Sequence, residues 1–279
     1  ITNPNQDSST ETNQENVKLT IFSSTEDSFL VTSTLVEKDG HALLINAKFT
    51  QSDAFVISDY ITQNNLILDK IFTLHGDPDY YFGLETIKAS HPHAIAYSTK
   101  DSVEHIVHSV LGKLSVWGGI LKENAPKNVV LPKIYTEKTI DFQGLTFEII
   151  GLNEKRINIY NKDLSLLIGG IDTFNECHVF LADTKSEVEM NSWIESLKEL
   201  ENLNVQTVIP GHGVIGDNLN SSIFSSTIKY IEIAIKAAKE SSNSAEFIQK
   251  LDASYPSDYP NRNVLELSAK VVMNEIPWG

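Results

Sequence analysis

The feature that most limits the fold is an alternation that begins near Lys18. The stretches "VKLTIFSS", "SFLVTSTLVEKDGHALLINA" and "KIFTLHG" are rich in β-branched residues and broken by turn signals, with "KDG" placed as a hairpin turn. Between them, "TQSDAFVISDYITQNN" sets Phe55, Val56, Tyr60 and Ile61 at helical spacing. "GLETIKASHP" and "STKDSVEHIVHSVLGKLSVWG" also read as helices, separated by the strand "AIAYS". Strands return in "KTIDFQGLTFEIIGL", "INIYNKDLSLLIGG" and "CHVFLA". "SEVEMNSWIESLKELENL" is then an amphipathic helix with Met190, Trp193, Ile194, Leu197 and Leu200 on one stripe. Strands followed by helices in both halves predict an α/β (α+β) chain folded as a four-layer αββα sandwich.

At 279 residues the chain is long enough to bury a large core. Residues 1–17 are mostly Asn, Gln, Ser and Thr, so a disordered polar segment is expected there. Residues 18–279 are expected to form one domain, with 221–279 as a helical C-terminal extension. The chain does not begin with Met, and a polar tether left after a removed signal or lipid anchor would look like this segment. An exported, periplasmic protein is therefore expected, with a cytoplasmic one as the alternative. No apolar run is long enough for a membrane span. With 37 acidic against 22 basic residues the net charge is −15, which repels phosphate backbones and argues against a nucleic-acid partner. The single cysteine, Cys177, rules out an intrachain disulfide and a thiolate cluster, and its apolar neighbours predict a buried thiol. Oligomeric state is left open by the sequence.

Two places concentrate metal-binding side chains at strand ends. His75, Asp77 and Asp79 follow "KIFTL", and His212 follows "VQTVIP" between two glycines. Imidazole and carboxylate suit Zn, Mn or Fe. Asp77 before Pro78 also has a structural explanation as a helix N-cap. His91 and His93 sit on a helix-to-strand turn, His105 and His108 are expected to face solvent, and His178 to point into the sheet. "SVWGGILKENAPK" reads as a loop over the site mouth.

From about Val17 to Asp217 the chain resembles the metallo-β-lactamase superfamily. The resemblance rests on the strand before "HGDPDYYFGLE", that loop itself, "HVFLADT", "SWIESLKELENL" and "VIPGHG". Such proteins carry H-x-H-x-D-H on the loop, a mid-chain histidine, an aspartate after a glycine at a later strand end, and the histidine of "PGHG", which together hold two metals and a bridging hydroxide. Here His75, Asp79 and His212 match in type. Asp77 and Tyr80 replace the second and third histidines, and Leu152 or Asn153 replaces the mid-chain one. Ile171 takes the bridging aspartate's place; Asp172, one residue on, would face away unless a bulge shifts it. Asn46 stands where an aspartate usually supports the site.

"HGDPDYYFG", "KLSVWGGILKENAP", "GGI" and "PWG" further resemble a bacterial subgroup with substituted ligands. The resemblance implies a depleted site that holds no metal, or one divalent ion (Zn, Mn or Fe) on His75, Asp77, Asp79 and His212, and not a full dinuclear zinc centre. The expected function is binding of a small molecule or partner in the old cleft. The alternative is a mononuclear hydrolase of an ester, lactone or amide, with Asp79 and Tyr80 catalytic and Tyr80 or Tyr81 donating to the developing oxyanion.

Overall fold

A computed structural model describes residues 10–12 and 16–278. Among these, the first sheet has seven strands in chain order: β1 (Thr10–Thr12), β2 (Val17–Phe22), β3 (Ser33–Lys38), β4 (His41–Ile45), β5 (Ile67–Phe72), β6 (Ile95–Ser98) and β7 (Lys133–Ile134). β1 to β4 are antiparallel, and β4 to β7 run parallel. "KDG" makes the β3–β4 hairpin, with Asp39 and Gly40 both at positive φ, as a two-residue primed turn requires. The second sheet draws on β8 (Thr139–Phe142), β9 (Leu145–Asn153), β10 (Arg156–Asn161), β11 (Leu166–Ile168) and β13 (Thr207–Ile209), in the spatial order β13-β11-β10-β9-β8. Two short parallel strands, β12 (Phe174–Asn175) and β14 (His212–Gly213), pair beside it.

Strand alternation sorts side chains into two apolar layers. On β3 and β4, Val36, Leu43 and Ile45 join the core between the sheets, while Leu35, Ala42 and Leu44 face the other way. That outer layer is closed by α1 (Gln51–Gln63), α2 (Pro78–Tyr81), α3 (Leu84–Ser90) and α4 (Lys100–Leu121). On the far side, α5 (Glu187–Glu201) inserts Met190, Trp193, Ile194, Leu197 and Leu200, all buried, against Leu166–Ile168. Each such side chain stabilises by roughly 1.5–3 kcal/mol. Ser186 and Glu189 form a capping box that fixes where α5 starts. α6 (Ser222–Glu240), α7 (Ser244–Asp252) and α8 (Arg262–Val272) follow, and Phe224, Ile231, Phe247 and Leu265 lie in the main core. The result is the expected four-layer α/β sandwich, and no helix among the described residues is long and apolar enough to cross a membrane.

Some expectations change. Thr10–Thr12 of the polar leader is a strand paired with Val17–Leu19; residues 1–9 and 13–15 lie outside the described residues. α1 buries Ala54, Ile57 and Ile61, leaving Phe55 and Val56 exposed, so its apolar face is turned from the expected one. "SVWGG" is not a loop. α4 runs on through Gly118 and Gly119 to Leu121, because Leu114, Trp117 and Leu121 pack on the outer apolar layer. That packing offsets the roughly 1 kcal/mol each glycine costs a helix.

Parallel strands point their carboxyl ends, and the loops that follow, to one edge. β5 delivers residues 73–79 there, β11 delivers 169–172, and β13 delivers 210–212. The two strand-end clusters expected from the sequence are thus brought face to face.

Candidate functional site

The loops after β11 and β13 touch. A Cβ on Gly211 would lie 2.0 Å from the Gly170 carbonyl oxygen, so only glycine permits the approach. His212 then enters β14 in register with Phe174, whose ring stacks on the imidazole at 5.0 Å and 9°. His212 Nε2 lies 2.8 Å from Asp79 Oδ2, and Tyr80 Oη lies 3.4 Å from His212 Nδ1. All three residues are buried. Burial, then the charges of Asp79 and Asp77, push the Tyr80 hydroxyl well above its ordinary value, so it stays protonated. Tyr80 packs in the core behind His212, and Tyr81 is buried on the opposite layer. Beneath Asp79, Lys48 sits at φ 74° and donates to the Phe22 and Val31 carbonyls and to Ser24 Oγ. Burial lowers its pKa to about 7 against the opposing pull of Asp53 and Asp79.

His75 and Asp77 form the other end. Asp77 is the N-cap residue of α2 with Pro78 behind it, yet its side chain makes no capping hydrogen bond. Its carboxylate turns instead to His75 Nδ1 at 3.4 Å, Lys113 Nζ at 3.5 Å and His105 Nε2 at 3.7 Å. Burial alone would raise this carboxyl, but His75, His105 and Lys113 outweigh it and hold it well below the usual carboxylate range. The Asp77 backbone N–H donates to His75 Nδ1 at 3.1 Å. The four residues singled out from the sequence therefore lie in two pairs, His75 with Asp77 and Asp79 with His212.

Asp172 faces away from the cleft, although it lies in the turn after β11 and not in a strand. It is fully buried, with Arg156 Nε donating to Oδ1 at 2.8 Å and Asn158 Nδ2 to Oδ2 at 3.4 Å, and the Arg156 guanidinium lies 4.4 Å over the Trp193 ring. Ile171 takes the position facing the cleft. Leu152 and Asn153 are exposed at the end of β9, and Asn153 Oδ1 accepts the Lys155 N–H. Asn46 is buried and its side-chain oxygen accepts from the Leu74 N–H, which holds the start of the His75 loop.

Above these pairs lies a cleft walled by Phe29, Phe49, Trp117, Ile171, Phe174 and Phe180, with Asp77, Asp79, Lys113 and His212 at its polar base. Trp117 meets Phe49 and Phe29 edge-on at 5.1 and 5.6 Å. The space between these side chains is about 90 Å³.

Sequence reasoning missed several residues. Asp183, in the 3-10 turn Ala182–Thr184, brings a carboxylate oxygen into a group with His75 and Asp77 whose ligand atoms all lie within 4.8 Å of one another. It follows "CHVFLA", which the sequence predicts as a strand but which is irregular here, and nothing local marks it. Arg156 is one of only two arginines in the chain, which marks it in the sequence. His105 packs on the loop with its side chain still 38% exposed, whereas exposed His108 bonds its own helix through the Glu104 carbonyl. His178 is fully buried with Nδ1 2.8 Å from Tyr230 Oη, and Cys177 is buried, which pushes its thiol up to about 12.

No protein-family model and no curated protein matches this chain by sequence. Solved structures do match. DIM-1 metallo-β-lactamase, in a crystal exposed to ceftazidime, superposes with a TM-score of 0.57 at 16% identity, covering 81% of this chain and 97% of that one. A metallo-β-lactamase from Pontibacter korlensis gives 0.57 at 15% identity, covering 81% and 99%. TMB-1 gives 0.55 at 18%, covering 81% and 96%. At such identities the likeness speaks to architecture: this chain has the metallo-β-lactamase fold.

Proposed function

We propose that this protein binds a small ligand in the cleft of a metallo-β-lactamase fold from which the two-metal centre has been lost. The observation that carries the reading is that three carboxylates at or beside the old ligand positions each have a protein cation or imidazole as partner: Asp77 has Lys113, Asp79 has His212 and Asp172 has Arg156. A dinuclear centre needs free carboxylates to offset its charge, and Ile171 offers no donor where a bridging group would sit. The donor set does not fit two metals.

The cleft walls suit recognition. Five aromatic side chains surround an apolar space, and the polar base offers donors from Lys113 and acceptors from Asp77 and Asp79. Drug-sized sites run to roughly 300–1,000 Å³. A space of about 90 Å³ therefore calls for a compact ligand with an apolar body and one polar end. The test is native mass spectrometry and elemental analysis of tag-free protein. A small molecule that co-purifies and is lost in Trp117→Ala supports the reading. Two equivalents of bound zinc would sink it.

A second reading, a mononuclear hydrolase of an ester, lactone or amide, draws on one specific observation. His75 and Asp77 gain a third candidate donor in Asp183, and three protein donors are the usual complement of a catalytic zinc. A bound ion would supply an activated water at neutral pH. The protein's part would be to hold that ion with His75, Asp77 and Asp183 and to enclose the apolar end of the substrate in the cleft.

A further inference from the structure

Helix α4 reaches the candidate metal group with two side chains. His105 lies directly on the loop, since a Cβ on Gly76 would come within 2.8 Å of His105 Cδ2 and glycine alone leaves room for the ring. Its Nε2 is 3.7 Å from Asp77 Oδ1, and its ring centroid is 6.5 Å from that of His75. The His105 side chain is 38% exposed, so the ring has room to turn. About two turns along the same helix, Lys113 holds Nζ 3.5 Å from the same Asp77 oxygen and 5.7 Å over the Trp278 ring. Asp183, whose oxygens close the group, accepts from Trp278 Nε1 at 2.7 Å.

We infer that the chain binds one divalent transition-metal ion through His75, Asp77 and Asp183, with His105 as the fourth donor, and that the Lys113 ammonium holds the cation position when no ion is bound. The inference rests on the donor grouping of the second reading and not on hydrolysis. Neither His105 nor Asp183 falls on a ligand position that the family resemblance carries over. Two imidazoles and two carboxylates from three places in the chain make a mixed set suited to Mn(II), Fe(II) or Zn(II). Ligand oxygens of Asp77 and Asp183 lie within 4.8 Å of each other, close enough for the two carboxylates to repel. A cation between them relieves that repulsion. Lys113 answers it from the Asp77 side alone, and a metal ion on the same oxygen would compete with it.

The test is titration of tag-free protein with Mn(II), free ion being read by electron paramagnetic resonance, with Zn(II) as competitor. One ion per chain is expected. Asp183→Asn and His105→Gln should each weaken binding by about tenfold or more. Lys113→Met should tighten it by about fivefold, whereas Lys113→Arg, which keeps the charge, should not. His105→Ala serves as the second variant should the Gln form fold poorly by circular dichroism. If neither wild type nor Lys113→Met takes up either metal at millimolar concentration, the inference and the second reading both fall. If Asp183→Asn abolishes binding but the His105 and Lys113 variants change nothing, the three-donor grouping stands and the inference falls. Loss in Asp79→Asn without loss in Asp183→Asn places the ion elsewhere and overturns it.

Discussion

Nε2 of His212 and Oδ2 of Asp79 lie 2.8 Å apart although the residues are 133 positions apart in the chain. This pair joins the loops of the two sheets, and both members are buried. Cutting a buried pair leaves an uncompensated charge, which costs about 3–5 kcal/mol. His212→Ala should therefore lower the urea midpoint strongly with little change in slope. Asp79→Asn, which keeps an acceptor oxygen, should cost less. An equal and small effect from both would show that the pair does not hold the loops together.

Asp172 and Arg156 form a second buried pair, turned away from the cleft. Arg156 Nε meets Asp172 Oδ1 at 2.8 Å, and the Trp193 indole donates to the Asp172 carbonyl at 3.1 Å. Asp172→Ala should cost about 3–5 kcal/mol because it strands the buried guanidinium, while the double variant Arg156→Met/Asp172→Leu should recover much of the loss. Since Asp172 faces away from the cleft, Asp172→Asn should leave ligand affinity unchanged. A drop in affinity comparable to that of a cleft residue would contradict its placement.

What the sequence made legible follows from range. The strand and helix runs, the "KDG" turn and the α5 stripe are local patterns. Alternation predicts that Asp172 faces away, and it does, but from the turn after β11 and not from a strand. Local patterning failed where distant packing decides. The α1 face is rotated because Ala54 and Ile57, and not Phe55, meet the neighbouring layer, and Gly118 and Gly119 stay helical because Trp117 is held by Phe29 and Phe49. Asp77 has every local mark of an N-cap, yet its side chain answers to His75, His105 and Lys113. Asp183 joins His75 only through the fold, so no spacing in the sequence discloses it.

Trp117 gives the cleft its own reporter. Its ring meets Phe49 at 5.1 Å and lines the apolar wall, so a ligand entering beside it changes the environment of an intrinsic fluorophore. Ligand binding should shift or quench tryptophan emission. Trp117→Ala should abolish the signal and weaken binding by about tenfold or more, since aromatic anchors dominate such sites. It should also cost up to about 3–5 kcal/mol of stability. Binding that persists at full strength in this variant would place the ligand outside the aromatic cleft.

His178 should make the fold sensitive to acid. Its imidazole is fully buried, edge-on to Tyr230, Tyr255 and Tyr259, with Nδ1 2.8 Å from Tyr230 Oη, while Nε2 has no hydrogen-bond partner. Burial, then the Arg262 charge, lowers its pKa to about 4 against the pull of Asp252. An unfolded histidine titrates near 6.5, so between about 6.5 and 4 the unfolded chain binds more protons than the folded one. The stabilisation is therefore complete above about pH 6.5 and is lost as pH falls toward 4. Thermal melts across that window should show the melting temperature falling with acidity. His178→Phe keeps the ring and removes the proton site, and its profile should be flatter over the same interval even if its melting temperature near neutral pH is lower. A variant slope identical to wild type would assign the acid sensitivity to other groups and return His178 to a purely packing role.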